Sequence, residues 1–120
     1  MIELLPESSG GALAFRATGK LSDEDYKQVF IPRLEEALAA SGQLEVMLVL
    51  DEGFTGWEPH AMWDDARWGM KHRNDFRKLA VVGGAKWIQW GTRVGGQLLK
   101  GEVRTFDLSQ REAAWAWVTS

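Results

Sequence analysis

The chain has 120 residues, 45% of them hydrophobic and 26% charged, with a net charge of −3, the profile of one soluble domain large enough to bury about two thirds of its unfolded surface. It has no cysteine and only two histidines, His60 and His72, which excludes disulfides, thiol chemistry and cysteine- or histidine-rich metal sites. No stretch approaches the roughly 18 apolar residues of a membrane span, and the amino-terminal MIELLPESSG lacks the basic and apolar regions of a signal peptide, so a cytoplasmic location is the expectation.

Ile2, Leu4 and Leu5 predict a short first strand, closed by Pro6 and the turn Ser8-Ser9-Gly10-Gly11. Residues 13–19 predict a second, whose Leu13/Phe15/Ala17 alternation buries one face. The short link makes the pair an antiparallel hairpin. Ser22 is placed as a helix N-cap, with Asp25 at the capping-box position, Leu21 stapling to Tyr26, and three acids at the positive end of the helix dipole. Tyr26, Val29, Phe30, Leu34, Ala37 and Leu38 mark the core face. Pro32 lacks an N–H and predicts a kink near Gln28, and Ser41-Gly42 ends the helix.

The apolar run Val46-Met47-Leu48-Val49-Leu50 predicts a central strand buried on both faces and ending at Asp51. A turn-rich loop, residues 52–58, then leads to a helix opened by Pro59. On that helix Met62, Trp63, Ala66, Gly69 and Met70 share one face, the expected core face. Asp64, Arg67, Trp68, Lys71 and His72 lie on the other. FRKLAVV, residues 76–82, is the next strand, broken by Gly83-Gly84. Residues 87–100 look helical, with Trp87, Trp90, Gly91, Val94 and Leu98 on one face. Gly91, Gly95 and Gly96 each lower helix propensity by about 1 kcal/mol, which points to close backbone approach or a loose helix. Residues 102–106 form a last strand, and Ser109-Gln110-Arg111-Glu112 is a capping box for a last helix. The order β-β-α-β-α-β-α-β-α predicts a single α/β domain over residues 1–120, with a mixed, mostly parallel five-stranded sheet and about four helices.

Few residues carry chemistry. Asp64 and Asp65 are adjacent on a helix, so their side chains point about 100° apart and do not converge. His72 has no matching nucleophile motif. VVGGAK, residues 81–86, lacks phosphate-loop spacing, and a tight turn accounts for its glycines, although Lys86 and the helix start could hold an anion. The charge is uneven: residues 1–60 carry a net −7 and residues 61–120 a net +4. Seven tryptophans are unusual, and Trp57 and Trp68 stand outside the expected core faces. An indole left in water forgoes up to about 5 kcal/mol of burial.

The segments GKLSDEDYKQVFIPRLEEAL (19–38), LVLDEGFTGWEPHAMWDDARWG (48–69), FRKLAVVGGAKWIQWGT (76–92) and GEVRTFDLSQREAAWAWV (101–118) resemble the SpoIIAA-like (STAS/SEC14-type) family over nearly the whole chain. The resemblance implies a STAS fold and a non-catalytic module. Anti-sigma-factor antagonists of this type bind a protein partner and are switched by phosphorylation of a serine after the central strand. SEC14-type relatives are implied to bind lipids. Here the switch region reads EGFTGWEPHAMW and has no serine. Thr55 is its only hydroxyl, flanked by Glu52 and Glu58, so a phosphate there meets like charge.

Two functions follow as expectations, neither enzymatic and neither needing a cofactor or metal. In the first, an apolar or lipid-like small molecule binds beyond the carboxyl end of the central strand, where ligand sites of open α/β sheets lie. Asp51, Phe54, Thr55, Trp57, Met62 and Trp63 lie on one side, Trp87 and Trp90 stand opposite, and Lys86 or Arg67 holds a polar head. In the second, a regulatory module binds a protein partner or a second copy through Trp68, Arg67 and Lys71. The basic second half is compatible with peripheral membrane contact. A pI near 5.4 without a basic aromatic stripe argues against nucleic acid.

Overall fold

Five strands form one sheet in the order β1-β2-β3-β4-β5. They are β1 (Ile2–Leu4), β2 (Ala12–Leu21), β3 (Leu44–Trp57), β4 (Phe76–Gly83) and β5 (Glu102–Phe106). The computed structural model describes residues 1–8, 12–97 and 99–120, without the side chains of Asp64, Asp65, Trp87, Trp90 and Val94. Turn residues 9–11 and Leu98, both part of the sequence reading, lie outside the described residues. β1 runs antiparallel to β2, with Ile2 opposite Ala17 and Leu4 opposite Phe15, and β2 to β5 are parallel to their neighbours.

Each parallel connection steps to the adjacent strand in the same direction, so right-handed crossovers place the connecting helices on one face of the sheet. The core divides accordingly. Leu13, Phe15, Val46, Leu48 and Leu50 pack on that face with Tyr26, Phe30, Leu34, Ala61 and Ile88. Ala14, Met47, Val49, Ala80 and Val82 pack on the other with Ala114 and Val118. Among the described α-helices, the last one, α5 (Arg111–Val118), covers this second face. β3 is thus buried on both sides, as its unbroken apolar run requires.

The first helical segment is fragmented. α1 (Asp23–Asp25) is one turn, a five-residue π-helical turn spans Tyr26–Phe30, and α2 runs Ile31–Ser41. The disruption expected near Gln28 from Pro32 takes the form of this π-helical turn, just ahead of the proline's own position in α2. The Ile31 N–H bonds five residues back to the Tyr26 carbonyl, and the widened turn makes room for the proline ring at the start of α2. Gly42, at φ 77°, caps α2 in the left-handed region.

The capping box forms as read. The Ser22 N–H donates to Asp25 Oδ2 (2.9 Å) and the Asp25 N–H to Ser22 Oγ (3.1 Å), while the Met1 ammonium lies 3.4 Å from Asp25 Oδ2. Burial by itself raises the Asp25 pKa, but the Ser22 hydrogen bonds and the ammonium more than offset it and hold the carboxyl below its ordinary 3.8. A carboxylate depressed in the folded state adds stability that is full above the unfolded value and is lost as pH falls through the folded one. Urea unfolding from about pH 6 to about pH 2 should therefore show Asp25→Asn less stable by about 1 kcal/mol at neutral pH, with the gap closing below pH 3.8.

At the other end of the chain the helix start lies upstream of the predicted Ser109 box. The Asp107 N–H donates to Gln110 Oε1 (3.0 Å) across the 3₁₀ turn Leu108–Gln110, and α5 follows. Buried Lys78 closes the far end of α5, its Nζ donating to the Trp117 carbonyl (2.9 Å) and Ser120 Oγ (2.7 Å). A cation satisfies carbonyls at a helix carboxyl end.

Candidate functional site

The predicted loop after Asp51 is strand. β3 continues to Trp57, beyond the point where Gly83 ends β4 opposite Leu50, and pairs there with β2 alone: Phe54 with Gly19, Gly56 with Lys20, Trp57 with Leu21. Asp51, Glu52 and Gly53 bulge opposite Thr18. Asp51 fixes the bulge, its Oδ1 accepting from the Gly53 N–H at 2.9 Å and its Oδ2 lying 4.0 Å from Arg16 Nε.

This extension has a physical anchor. Trp57 Nε1 donates to the buried Tyr26 hydroxyl at 2.7 Å, and Phe54 meets the Trp57 ring edge-on at 5.0 Å. The indole of Trp57 is half-buried against the helix-side core. Thr55 is exposed on the irregular stretch. An open cleft of about 380 Å³ lies at the bulge, between Arg16, Asp51, Glu52 and Arg111. Its cations already have partners, Arg16 with Glu3 and Arg111 with Glu7. The strand order never reverses, so the sheet has no switch point at which a ligand crevice would open.

The helix α3 (Pro59–Lys71) turns the other way from its hydropathy pattern. Its own Ala61 is fully buried, and its half-buried Trp68 packs on the core. Trp68 stacks on His72 (centroids 4.1 Å), meets Phe76 edge-on at 6.0 Å, and donates from Nε1 to Glu35 Oε1 at 3.3 Å. The expected core stripe faces solvent instead: Met62 is 53% exposed, Trp63 64% and Met70 47%. Ala66 lies between them, exposed. Met62, Ala66 and Met70 form one row at four-residue spacing, and Trp63, Arg67 and Lys71 form the next, all exposed. Ala66 and Met70 belong to this surface although the sequence reading assigned them to the core; their four-residue spacing from Met62 was the available signal.

The remaining candidates are spread out. Lys86 is exposed at the start of α4 (Lys86–Gly96). Trp87 and Trp90 have side chains outside the described residues. At the VVGGAK turn, a Cβ on Gly84 would meet Leu50 Cδ1 at 2.9 Å and Ile88 Cγ2 at 3.3 Å, so apolar side chains occupy the space beside this backbone. His72 does have an orienting carboxylate, with Nδ1 2.8 Å from Asp75 Oδ2, and its ring is stacked on Trp68. No cluster of metal-ligating side chains occurs among the described residues. None of the described helices is long and apolar enough to cross a membrane.

A family model described as SpoIIAA-like matches residues 12–119. The chain is similar to the crystal structure of an uncharacterized protein from the DUF3478 family with a SpoIIAA-like fold from Shewanella loihica PV-4, at 36% sequence identity and a TM-score of 0.75, over 98% of this chain and 93% of that one. No curated protein matches.

Proposed function

The chain belongs to the SpoIIAA-like family, and on that premise we propose that it works as a non-catalytic STAS-type binding module that takes the apolar part of a lipid-like amphipathic molecule on the outer face of α3. The observation that carries this reading is the uncovered row Met62, Trp63 and Met70 on one helix face. Contiguous exposed apolar side chains mark binding surfaces, whereas scattered ones do not. Arg67 and Lys71 border the row, which places a cationic edge where an anionic headgroup would lie. This proposed site is the solvent-facing side of α3, which follows β3 in the chain.

Trp63 leaves on the order of 150 Å² in water, and its burial by a ligand would supply up to about 4 kcal/mol. Co-sedimentation with vesicles of phosphatidylcholine containing phosphatidylglycerol, together with oleate titration, tests the reading. Wild type should bind both. Trp63→Ala should bind at least tenfold more weakly with an unchanged melting temperature, since its side chain supports little of the fold. Arg67→Glu should lose affinity mainly for the anionic vesicles. Wild type that binds neither probe, or Trp63→Ala that binds as tightly as wild type, would overturn the reading.

A further inference from the structure

Among the described residues, β5 is the last strand of the sheet and pairs with β4 alone. Its outer edge therefore presents five residues of strand backbone, Glu102 to Phe106. The opposite edge is different: β1 has three residues, and its Glu3 is paired with Arg16.

Natural edge strands are commonly blunted by charge. That works when like charges meet in any self-pairing, and β5 does not have this pattern. Glu102 and Arg104 lie two apart, so they project from the same face of the strand. Both are exposed, and neither has an oppositely charged partner among the described residues. Arg104 lies over the Trp117 ring at 4.8 Å. Lys78, in register with Glu102 on β4, spends its ammonium on the end of α5.

Laid antiparallel on itself about Val103, the strand is self-complementary. Glu102 of each copy falls opposite Arg104 of the other, Val103 meets Val103, and Thr105 faces Gly101. Directly opposed unlike charges stabilise an antiparallel pair, and like charges destabilise it. The pattern thus selects this one register about a two-fold axis, the isologous arrangement of a symmetric dimer.

We propose that the β5 edge is a docking surface for a second copy of this chain, which adds its own β5 antiparallel about Val103 and joins the two sheets into one. Main-chain hydrogen bonds provide the attraction and the two Glu102–Arg104 pairs fix the register. With Glu102, Val103 and Arg104 of each copy paired strand to strand, the contact is smaller than the roughly 1,200–2,000 Å² of a standard interface, so the dimer dissociates on dilution. This surface is separate from the outer face of α3 and does not depend on the reading of that face.

Sedimentation velocity over a concentration series tests the proposal. Wild type should show reversible dimerisation. Glu102→Arg sets arginine against Arg104 in both pairs and should weaken the dimer at least tenfold. Arg104→Glu should do the same, and the double variant E102R/R104E should recover it. Because the chain has no cysteine, Val103→Cys gives an independent readout: under mild oxidation it should cross-link to itself, while Glu112→Cys on α5 should not. The register is wrong if the double variant fails to recover association or if Val103→Cys does not cross-link. A wild type that stays monomeric at millimolar concentration, or a Glu102→Arg variant that associates as tightly as wild type, overturns the dimer.

Discussion

Gly83→Ala is expected to cost the fold about 3 kcal/mol or more and to lower the melting temperature by roughly 10–20 °C. Two independent penalties coincide there. Gly83 sits at φ 86°, a region that side chains with a Cβ adopt only under strain. A Cβ would also run into the backbone carbonyl oxygen of Leu50 and stand 2.9 Å from Leu108 Cγ. The Leu50 carbonyl cannot retreat, because Leu50 belongs to the central strand and is itself fully buried, so the backbone clash stays even if the exposed Leu108 side chain shifts. Gly91→Ala provides the opposite case. Gly91 lies within α4, and a Cβ there meets nothing within 4 Å. Alanine should stabilise by up to about 1 kcal/mol through helix propensity and a less flexible unfolded chain. Differential scanning calorimetry of both variants reads the two signs in one experiment. A Gly83→Ala protein that melts like wild type would refute the packing described for this turn.

Tyr26→Ala should destabilise by about 3–5 kcal/mol, and Tyr26→Phe by about 1 kcal/mol. The ring is 2% exposed and meets Phe30 edge-on at 5.2 Å, so truncation leaves a cavity in the helix-side core. The hydroxyl has a separate task, accepting the Trp57 indole N–H at 2.7 Å. Phenylalanine keeps the ring packing and removes the hydroxyl that accepts from Trp57. The split tells whether the β3 extension is held by ring packing or by the hydrogen bond. Hydrogen exchange at residues 54–57 adds a local readout: it should rise in Tyr26→Phe while exchange in residues 46–50 stays at the wild-type level. Equal stability of the two variants in urea would show that the cavity contributes nothing, against the burial of this ring.

Most of the elements were legible in the chain because they are dictated locally. The Leu13/Phe15/Ala17 alternation, the unbroken Val46–Leu50 run and the Ser22–Asp25 box each carry their signal within a few residues, and each appears in the fold. The bulged continuation of β3 was not legible. Asp51, Gly53 and Gly56 read as turn residues, yet the chain returns to β2 at Phe54, Gly56 and Trp57, pairing with residues thirty-odd positions earlier across the bulge. Pro32 could be read as a helix disruption, but its resolution as a π-helical turn depends on how Tyr26 and Phe30 seat in the core.

The candidate site divides the same way. That residues 59–71 form a helix with one apolar face was plain from spacing alone, since periodicity is a property of the segment. Which face turns inward was not, because that choice belongs to the surface the helix lands on. The sheet accepts fully buried Ala61 close against it and takes Trp68 between Glu35, His72 and Phe76, and this docking leaves Met62, Trp63 and Met70 outside. Hydropathy counts apolar residues without knowing the shape they must fit. The amino-acid sequence therefore carried the order of the elements, the mostly parallel sheet and the family resemblance. Only the tertiary packing decided which face of α3 turns to solvent and that β3 continues to Trp57, through contacts between residues far apart along the chain.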